Sequence, residues 1–539
     1  MTKASVKKVV VTAALPYANG ELHLGHLRST YLPADIYTRF RNLIGDKAIY
    51  LCATDEHGTP ILFKAEEEGI KPEEYVKIWR KDHLADFKSV GIHFHKFYQT
   101  HSPEHTELTQ TLFNKLKQHT CMKPVKLHWC LKCDMSLPDR FVIGTCPFCN
   151  AEEQYGDHCE ACGKVIPFGE LMNAKCKKCG TASTIKEAEH LFFKLSTFSS
   201  RLESFIHNQL KAEKEVKNFV MAWIHEGLQD WDIERHISWG VPIPEHKGVF
   251  YVWFDAPIGY MTTLQKWCSE NNEKFEEWWN PQSDIVHFIG KDIVYHHFLF
   301  WPAMLMAAGF NTPTEIPVRG HLRLEGKKLS KSRGWYIPLK AWKGKKQDWE
   351  YLRFYMTWTT PLGMKDTDFS ASDYVQIVNG ELVNNLGNLL QRILKFSENT
   401  TASKIPESEV GEVFNKVVSL KKKYEKVMLA GDMQKGLYLT SEAGKLVNVY
   451  FQAKEPWKNP EIAPEVIRTA ASCMKIITQM LVPFLPSRVE KISELLNIKV
   501  KWEDDEPLPV GHILRKAKIL FPRITDDDLA LIKSIYEAS

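Results

Sequence analysis

The histidines of His23-Leu24-Gly25-His26 and the lysines of Lys328-Leu329-Ser330-Lys331-Ser332 are residue types that grip phosphate, and they stand far apart along the chain. Imidazole N–H groups and ammonium groups both donate to oxyanions, so two such sets facing one another would suit a triphosphate. The apolar run from Val9 to Leu15 predicts a buried strand, Pro16, Asn19 and Gly20 break it, and a helical pattern resumes at about Leu27. A strand–loop–helix unit aims backbone N–H groups and a helix dipole at whatever binds in the loop, which favours anions. Gly25 has no Cβ, so a flat ring can lie close to the backbone there. Taken singly, the lysines are a solvated turn and the histidines ordinary loop residues. Occurring together in this order, they point to a bound nucleotide.

Of twelve cysteines, eight fall in four C-x-x-C pairs: Cys130/Cys133, Cys146/Cys149, Cys159/Cys162 and Cys176/Cys179. Redox dithiols do not come four at a time, and no export signal precedes the first strand, so disulfides are not expected. Four pairs match two closed, structural Cys₄ zinc sites. Nine residues separate Cys149 from Cys159, a length that suits one compact knuckle. We therefore expect a nested arrangement, with Cys130/Cys133 and Cys176/Cys179 closing an outer site, over a sequential one.

At 539 residues the chain exceeds one core, and its 44% hydrophobic, 25% charged composition is that of a soluble globular protein. No apolar run is long enough to span a membrane, and a cytoplasmic location is expected. Net charge is only +4, so nucleic-acid binding would rest on local patches. Alternating strand-like and helix-like runs predict an α/β fold, a Rossmann-type doubly wound parallel sheet. Strands are expected at Ala48–Ala53, Val249–Phe254 and Ile285–Ile289, with Asp55 to Gly58 and Gly290 to Asp292 at their ends, where ligands bind in open sheets. The cysteine-rich insert splits this sheet. Beyond about Ser370 an apolar stripe of Leu382, Leu386, Leu389, Leu390, Ile393 and Leu394 begins a C-terminal helical bundle, with Asn388 and Arg392 facing outward.

Several segments together resemble the methionyl-tRNA synthetases, a class I aminoacyl-tRNA synthetase family. They are Ala14 to Gly20 before the histidines, Asp55-Glu56-His57-Gly58-Thr59-Pro60, the run from Tyr251 to Tyr260, Gly290-Lys291-Asp292-Ile293 and the lysine loop. With the cysteine insert and the helical end, the resemblance covers essentially the whole chain. Leu329 stands where methionine is usual, which keeps apolar character and volume. Cysteinyl enzymes also use zinc, but there the metal contacts the substrate, whereas closed Cys₄ sites leave no open position. A catalytically dead tRNA-binding relative would have no need of His23, His26 and Lys331.

The resemblance implies ATP-dependent activation of L-methionine and transfer to tRNA(Met), initiator and elongator alike. His23, His26, Lys328 and Lys331 would be catalytic, and His23, Gly25, His26, Gly290, Asp292 and Lys331 would bind ATP, which brings Mg²⁺. Leu15, Tyr17, Trp253, Pro257, Tyr260, Ile293 and His297 would form the methionine pocket, with Asp55 on the ammonium group. Asn388, Arg392 and Trp457 would read the anticodon. The family's domains map onto residues 1–115 and 230–318 for the two Rossmann halves, 116–229 for the insert, 319–372 for the lysine loop and stem-contact segment, and 373–539 for the anticodon-binding bundle. A further dimerising domain seen in some relatives is not present in this sequence, so a monomer is expected.

Overall fold

Runs of Val, Ile and Ala with no exposed face mark the central strands of a parallel sheet. β1 (Lys8–Ala13), β2 (Lys47–Thr54), β3 (Lys96–Gln99), β4 (Asp284–Gly290) and β5 (Val318–Arg319) lie in the order β5-β4-β1-β2-β3, all parallel. Val9 pairs with Asp284 on one side and Ala48 on the other, and Val9, Val10 and Val11 are wholly buried. The strand order reverses direction between β1 and β4, the place where an open α/β sheet leaves a ligand crevice. The computed structural model describes all residues except 1–5, 138–140, 157–158, 160, 163, 165, 167–168, 332–333, 345–347 and 538–539. Ser332 of the lysine motif thus lies outside the described residues.

Two local expectations are corrected. The first helix begins at Leu24 rather than about Leu27, because His23 caps it. Its side chain accepts the Gly25 N–H while the His26 side chain accepts the His23 N–H. Imidazole is not among the usual capping groups, which hides this start in the sequence. The expected strand at Val249–Phe254 is reduced to Val249–Phe250, paired antiparallel with Glu234–Arg235, and Val252–Asp255 forms a helical turn instead. In a strand Trp253 and Asp255 would share a face; in a helix they point about 200° apart. That turn lets Trp253 reach the ligand crevice while Asp255 is wholly buried.

The insert is a long antiparallel hairpin, Thr120–Cys130 against Thr184–Phe193, whose arms carry the cysteine knuckles at their tip. The tip packs back on the helix Thr59–Glu68, where the Phe63 and Phe141 rings stack at 3.4 Å and Lys178 pairs with Glu66 at 2.7 Å. The C-terminal region is helical as expected, with long helices at Val413–Leu429, Met433–Lys454 and Ala463–Leu481. The stripe from Leu382 to Leu394 is buried against them. The last helix, Asp526–Glu537, returns to the lysine hairpin, where the Tyr536 hydroxyl donates to Glu325 at 2.7 Å. No helix among the described residues is long and apolar enough to cross a membrane.

Candidate active site

A cavity of about 670 Å³ opens at the C-terminal ends of β1, β2 and β4. His23, Gly25 and His26 line it together with Lys328, Leu329 and Lys331. The two motifs are stitched by main-chain hydrogen bonds: Leu24 N–H donates to Ile337 at 3.1 Å and Leu339 N–H to Leu22 at 3.0 Å. Side chains tighten the seam. Tyr336 lies edge-on to His23 at 5.8 Å, and its hydroxyl donates to Glu21 at 3.1 Å. A Cβ on Gly25 would come within 2.9 Å of both the His23 ring and the Leu329 side chain, so this glycine allows the lysine loop to seat on the capped turn. Lys331 reaches across to Gly20, its Nζ 3.5 Å from where a Cβ would stand.

The geometry of the cap defines the histidines' protonation. Both Nδ1 atoms accept amide protons, at 3.1 Å for His23 and 3.2 Å for His26, so Nε2 carries the hydrogen in each neutral ring. Burial pushes the His23 pKa down to about 3, with Lys331 adding to the effect. Burial also holds His26 well below its ordinary value, with His23 and Lys331 adding. The rings stack at 3.8 Å, a spacing that two imidazolium cations would resist. At neutral pH the pair therefore offers N–H donors without formal charge, and the cations come from the lysine side.

Apolar and aromatic side chains with one carboxyl also line the cavity. These are Leu15, Tyr17, Asp55, Trp253 and Ile293, and Gly290 and Asp292 line it too. Burial raises the Asp55 carboxyl pKa well above its usual range, and nearby Asp255 adds to the shift. Asp55 Oδ1 is buried without a hydrogen-bond partner within the protein. Trp253 stacks on His296 at 3.8 Å. Pro257, Tyr260 and His297 stand one layer behind this wall rather than on it. The Tyr260 hydroxyl donates to His297 Nε2 at 2.8 Å while His297 Nδ1 donates to the Ile293 carbonyl at 3.0 Å. Burial lowers the His297 pKa to about 4, which keeps this chain of bonds neutral. Arg235, Tyr251 and His321 also line the cavity and were not among the expected site residues, although Tyr251 opens one of the segments that carry the resemblance; the Arg235 guanidinium lies 3.9 Å from the Tyr251 ring centre. No local spacing marks these three, because they converge from separate segments.

The cysteines gather as the nested arrangement expected: Cys130, Cys133, Cys176 and Cys179 form one group, and Cys146, Cys149, Cys159 and Cys162 the other. Sulfur separations of 3.4 Å (Cys130–Cys179), 3.6 Å (Cys149–Cys159) and 3.9 Å (Cys146–Cys162) sit close to the edge of about 3.8 Å of a tetrahedron with metal–sulfur bonds of about 2.3 Å. The donor set fits zinc.

On the helical bundle Asn388 is exposed, and Arg392 lies over the Phe451 ring at 5.6 Å. Trp457 is 47% exposed and parallel to Phe451 at 6.4 Å. Phe451 thus spaces Arg392 and Trp457, a role that periodicity alone did not reveal.

The family of tRNA synthetases class I (M) matches residues 9–394, and the anticodon binding domain of methionyl tRNA ligase matches residues 403–538. The chain belongs to the methionyl family of class I tRNA synthetases. The synthetase is 40% identical to the Methionine--tRNA ligase of Methanopyrus kandleri, over 98% of this chain and 82% of that one. It is 38% identical to that of Methanobrevibacter smithii, over 97% and 81% of the two chains. Its fold matches a crystal structure of Mycobacterium tuberculosis methionyl-tRNA synthetase bound by methionyl-adenylate, with a TM-score of 0.80 and 23% identity over 96% of this chain and 100% of that one.

Two outcomes follow for the synthetase. Metal analysis should find two zinc ions per chain, and Cys176→Ser should lower the content toward one; a wild-type content of one or none would contradict the two-site arrangement. The second concerns acid. His23 titrates near 3 when folded and near 6.5 when unfolded, so the unfolded chain binds the extra proton across that window. Stability conferred by the neutral ring is full above 6.5 and falls with pH below it, by roughly 2 kcal/mol between pH 7 and pH 5. Denaturant unfolding of His23→Gln at the two pH values should show a correspondingly smaller loss than wild type, and an equal loss would remove His23 as a source.

Proposed function

We propose that this chain activates L-methionine with ATP and transfers the methionyl group to the 3′ end of tRNA(Met), initiator and elongator. The observation that carries this is the convergence of His23, His26, Lys328 and Lys331 on one cavity that also contains Asp55. In the first step a methionine carboxylate oxygen attacks the α-phosphorus, forming the acyl–phosphate bond. The bridging α–β P–O bond breaks, and its electron pair leaves with pyrophosphate. In the second, a ribose hydroxyl of the terminal adenosine attacks the acyl carbon and AMP departs.

No protein nucleophile is needed; the task is placement and charge stabilisation. His23 and His26 donate from Nε2 to the polyphosphate on one side. Lys328 and Lys331 supply positive charge on the other, from a hairpin turned at Glu325 and Gly326, both in the left-handed region at φ 47° and 77°. Mg²⁺ would accompany ATP and offset phosphate charge. Gly290 and Asp292 lie where β4 ends and serve the adenosine and its ribose. A Cβ on Gly290 would stand 2.5 Å from Asp292 Oδ1, so glycine keeps that carboxylate in place.

Asp55 binds the methionine ammonium group, whose charge favours the ionised carboxylate that burial disfavours. Leu15, Tyr17, Trp253 and Ile293 enclose the thioether, and Pro257, Tyr260 and His297 brace that wall. Zinc held by the two Cys₄ groups would fasten the tip of the insert. Asn388, Arg392 and Trp457 meet the unstacked anticodon bases, the first two by hydrogen bonding and the indole by stacking. The boundaries at 115, 229, 318 and 372 divide these tasks along a chain that acts as a monomer.

Pyrophosphate exchange into ATP, run with each of the twenty amino acids, tests the assignment: strong signal with methionine alone is expected, and strong signal with another would overturn it. Lys331→Ala should lower adenylate formation by about 10²–10³-fold, as loss of a transition-state donor does, and unchanged turnover would remove Lys331 from the mechanism. Trp457→Ala should impair tRNA charging and spare methionine activation, since the indole lies on the bundle; equal damage to both would contradict an anticodon role.

A further inference from the structure

Behind the cavity wall lies a buried network that the activation chemistry does not use. Asp255 Oδ2 accepts from His57 Nδ1 at 2.7 Å and from His105 Nε2 at 3.3 Å, and none of the three side chains is more than 2% exposed. A carboxylate only accepts, so both of those ring nitrogens carry hydrogen. His57 Nε2 then accepts from His101 Nδ1 at 3.2 Å, and His105 Nδ1 accepts from the Thr262 hydroxyl at 3.0 Å. The ring nitrogens of His57 and His105 are all engaged, so the three side chains form a hydrogen-bonded unit.

What the unit joins gives it meaning. His57 sits two residues after Asp55 on the loop that follows β2, Asp255 ends the helical turn that carries Trp253, and His105 lies on the helix Pro103–Leu116. The same loop is held from the other side by Tyr17, whose hydroxyl donates to the His57 carbonyl at 2.9 Å. Its main chain then turns through Gly58 at φ 98°, a conformation that favours glycine. The charged side and the aromatic side of the amino-acid site are thus fastened through one carboxylate oxygen.

We propose that His57, Asp255 and His105 are positioning residues for methionine. They clamp the loop bearing Asp55 to the turn bearing Trp253 and so fix the distance between the ammonium ligand and the thioether wall. This rests on the assignment of Asp55 to the ammonium group. The main chain of Asp55 is tied to Pro16 and Ala18, while the bonds that join the two phosphate-gripping segments, Leu24 to Ile337 and Leu339 to Leu22, involve none of the three, so loosening the clamp bears on methionine before ATP.

The test compares His105→Leu, which removes the donor to Asp255, with His105→Gln, whose amide can replace Nε2–H. In pyrophosphate exchange His105→Leu should raise KM for methionine by about tenfold, with KM for ATP and kcat within about twofold of wild type, and His105→Gln should restore most of the loss. Thr262→Val, nearly isosteric, removes the donor that orients His105; it should raise KM for methionine severalfold and carries the test if His105→Leu does not fold. An unchanged methionine KM in the variants that fold, a parallel loss in ATP KM and kcat, or failure of Gln to rescue would overturn the proposal. Asp55→Asn separates the two ideas. If it leaves the methionine KM unchanged, the ammonium assignment fails; if it raises KM while the His105 and Thr262 variants do not, the clamp alone fails.

Discussion

Two main-chain hydrogen bonds, from Leu24 to Ile337 and from Leu339 to Leu22, join segments some three hundred residues apart and bring His23 and His26 to one cavity with Lys328 and Lys331. Neither segment can make the site by itself. The capped turn at His23 supplies directed N–H groups with no charge, and the lysine hairpin supplies charge on flexible stems. Gly25 lets the two surfaces meet, since the space of its missing side chain is taken by the His23 ring and Leu329. The rest of the fold serves this seam. The switch between β1 and β4 opens the crevice, and the final helix returns to brace the lysine hairpin through Tyr536 and Glu325.

Electrostatics divide the cavity into two ends with opposite needs. Around the two motifs burial keeps His23 and His26 neutral, which avoids placing two cations 3.8 Å apart. At Asp55 burial raises the carboxyl well above its usual range, and nearby Asp255 adds to the shift. Desolvation thus acts at both places and favours neutral groups at each.

Much of this was legible in the sequence because the informative residues are local. Apolar runs gave the central strands, C-x-x-C spacing gave two nested Cys₄ groups, and the leucine stripe gave the first helix of the bundle. What escaped depends on contacts between distant segments. The helix start at Leu24 was hidden because its cap is an imidazole, and the run at Val249–Phe254 has strand composition yet turns helical where Trp253 and Asp255 must point apart. Pro257, Tyr260 and His297 lie behind the pocket wall, while Arg235, Tyr251 and His321 lie on it, a distinction no single segment encodes. Phe451 between Arg392 and Trp457 is another case, since it belongs to a different helix from Arg392.

The central claim is that imidazoles and lysines close on one polyphosphate from opposite sides. A crystal structure with a non-hydrolysable ATP analogue tests it most directly. The account predicts phosphate oxygens within about 3.2 Å of His23 or His26 Nε2 and, in the same molecule, of Lys331 Nζ. A nucleotide bound with its phosphates away from either set would contradict it.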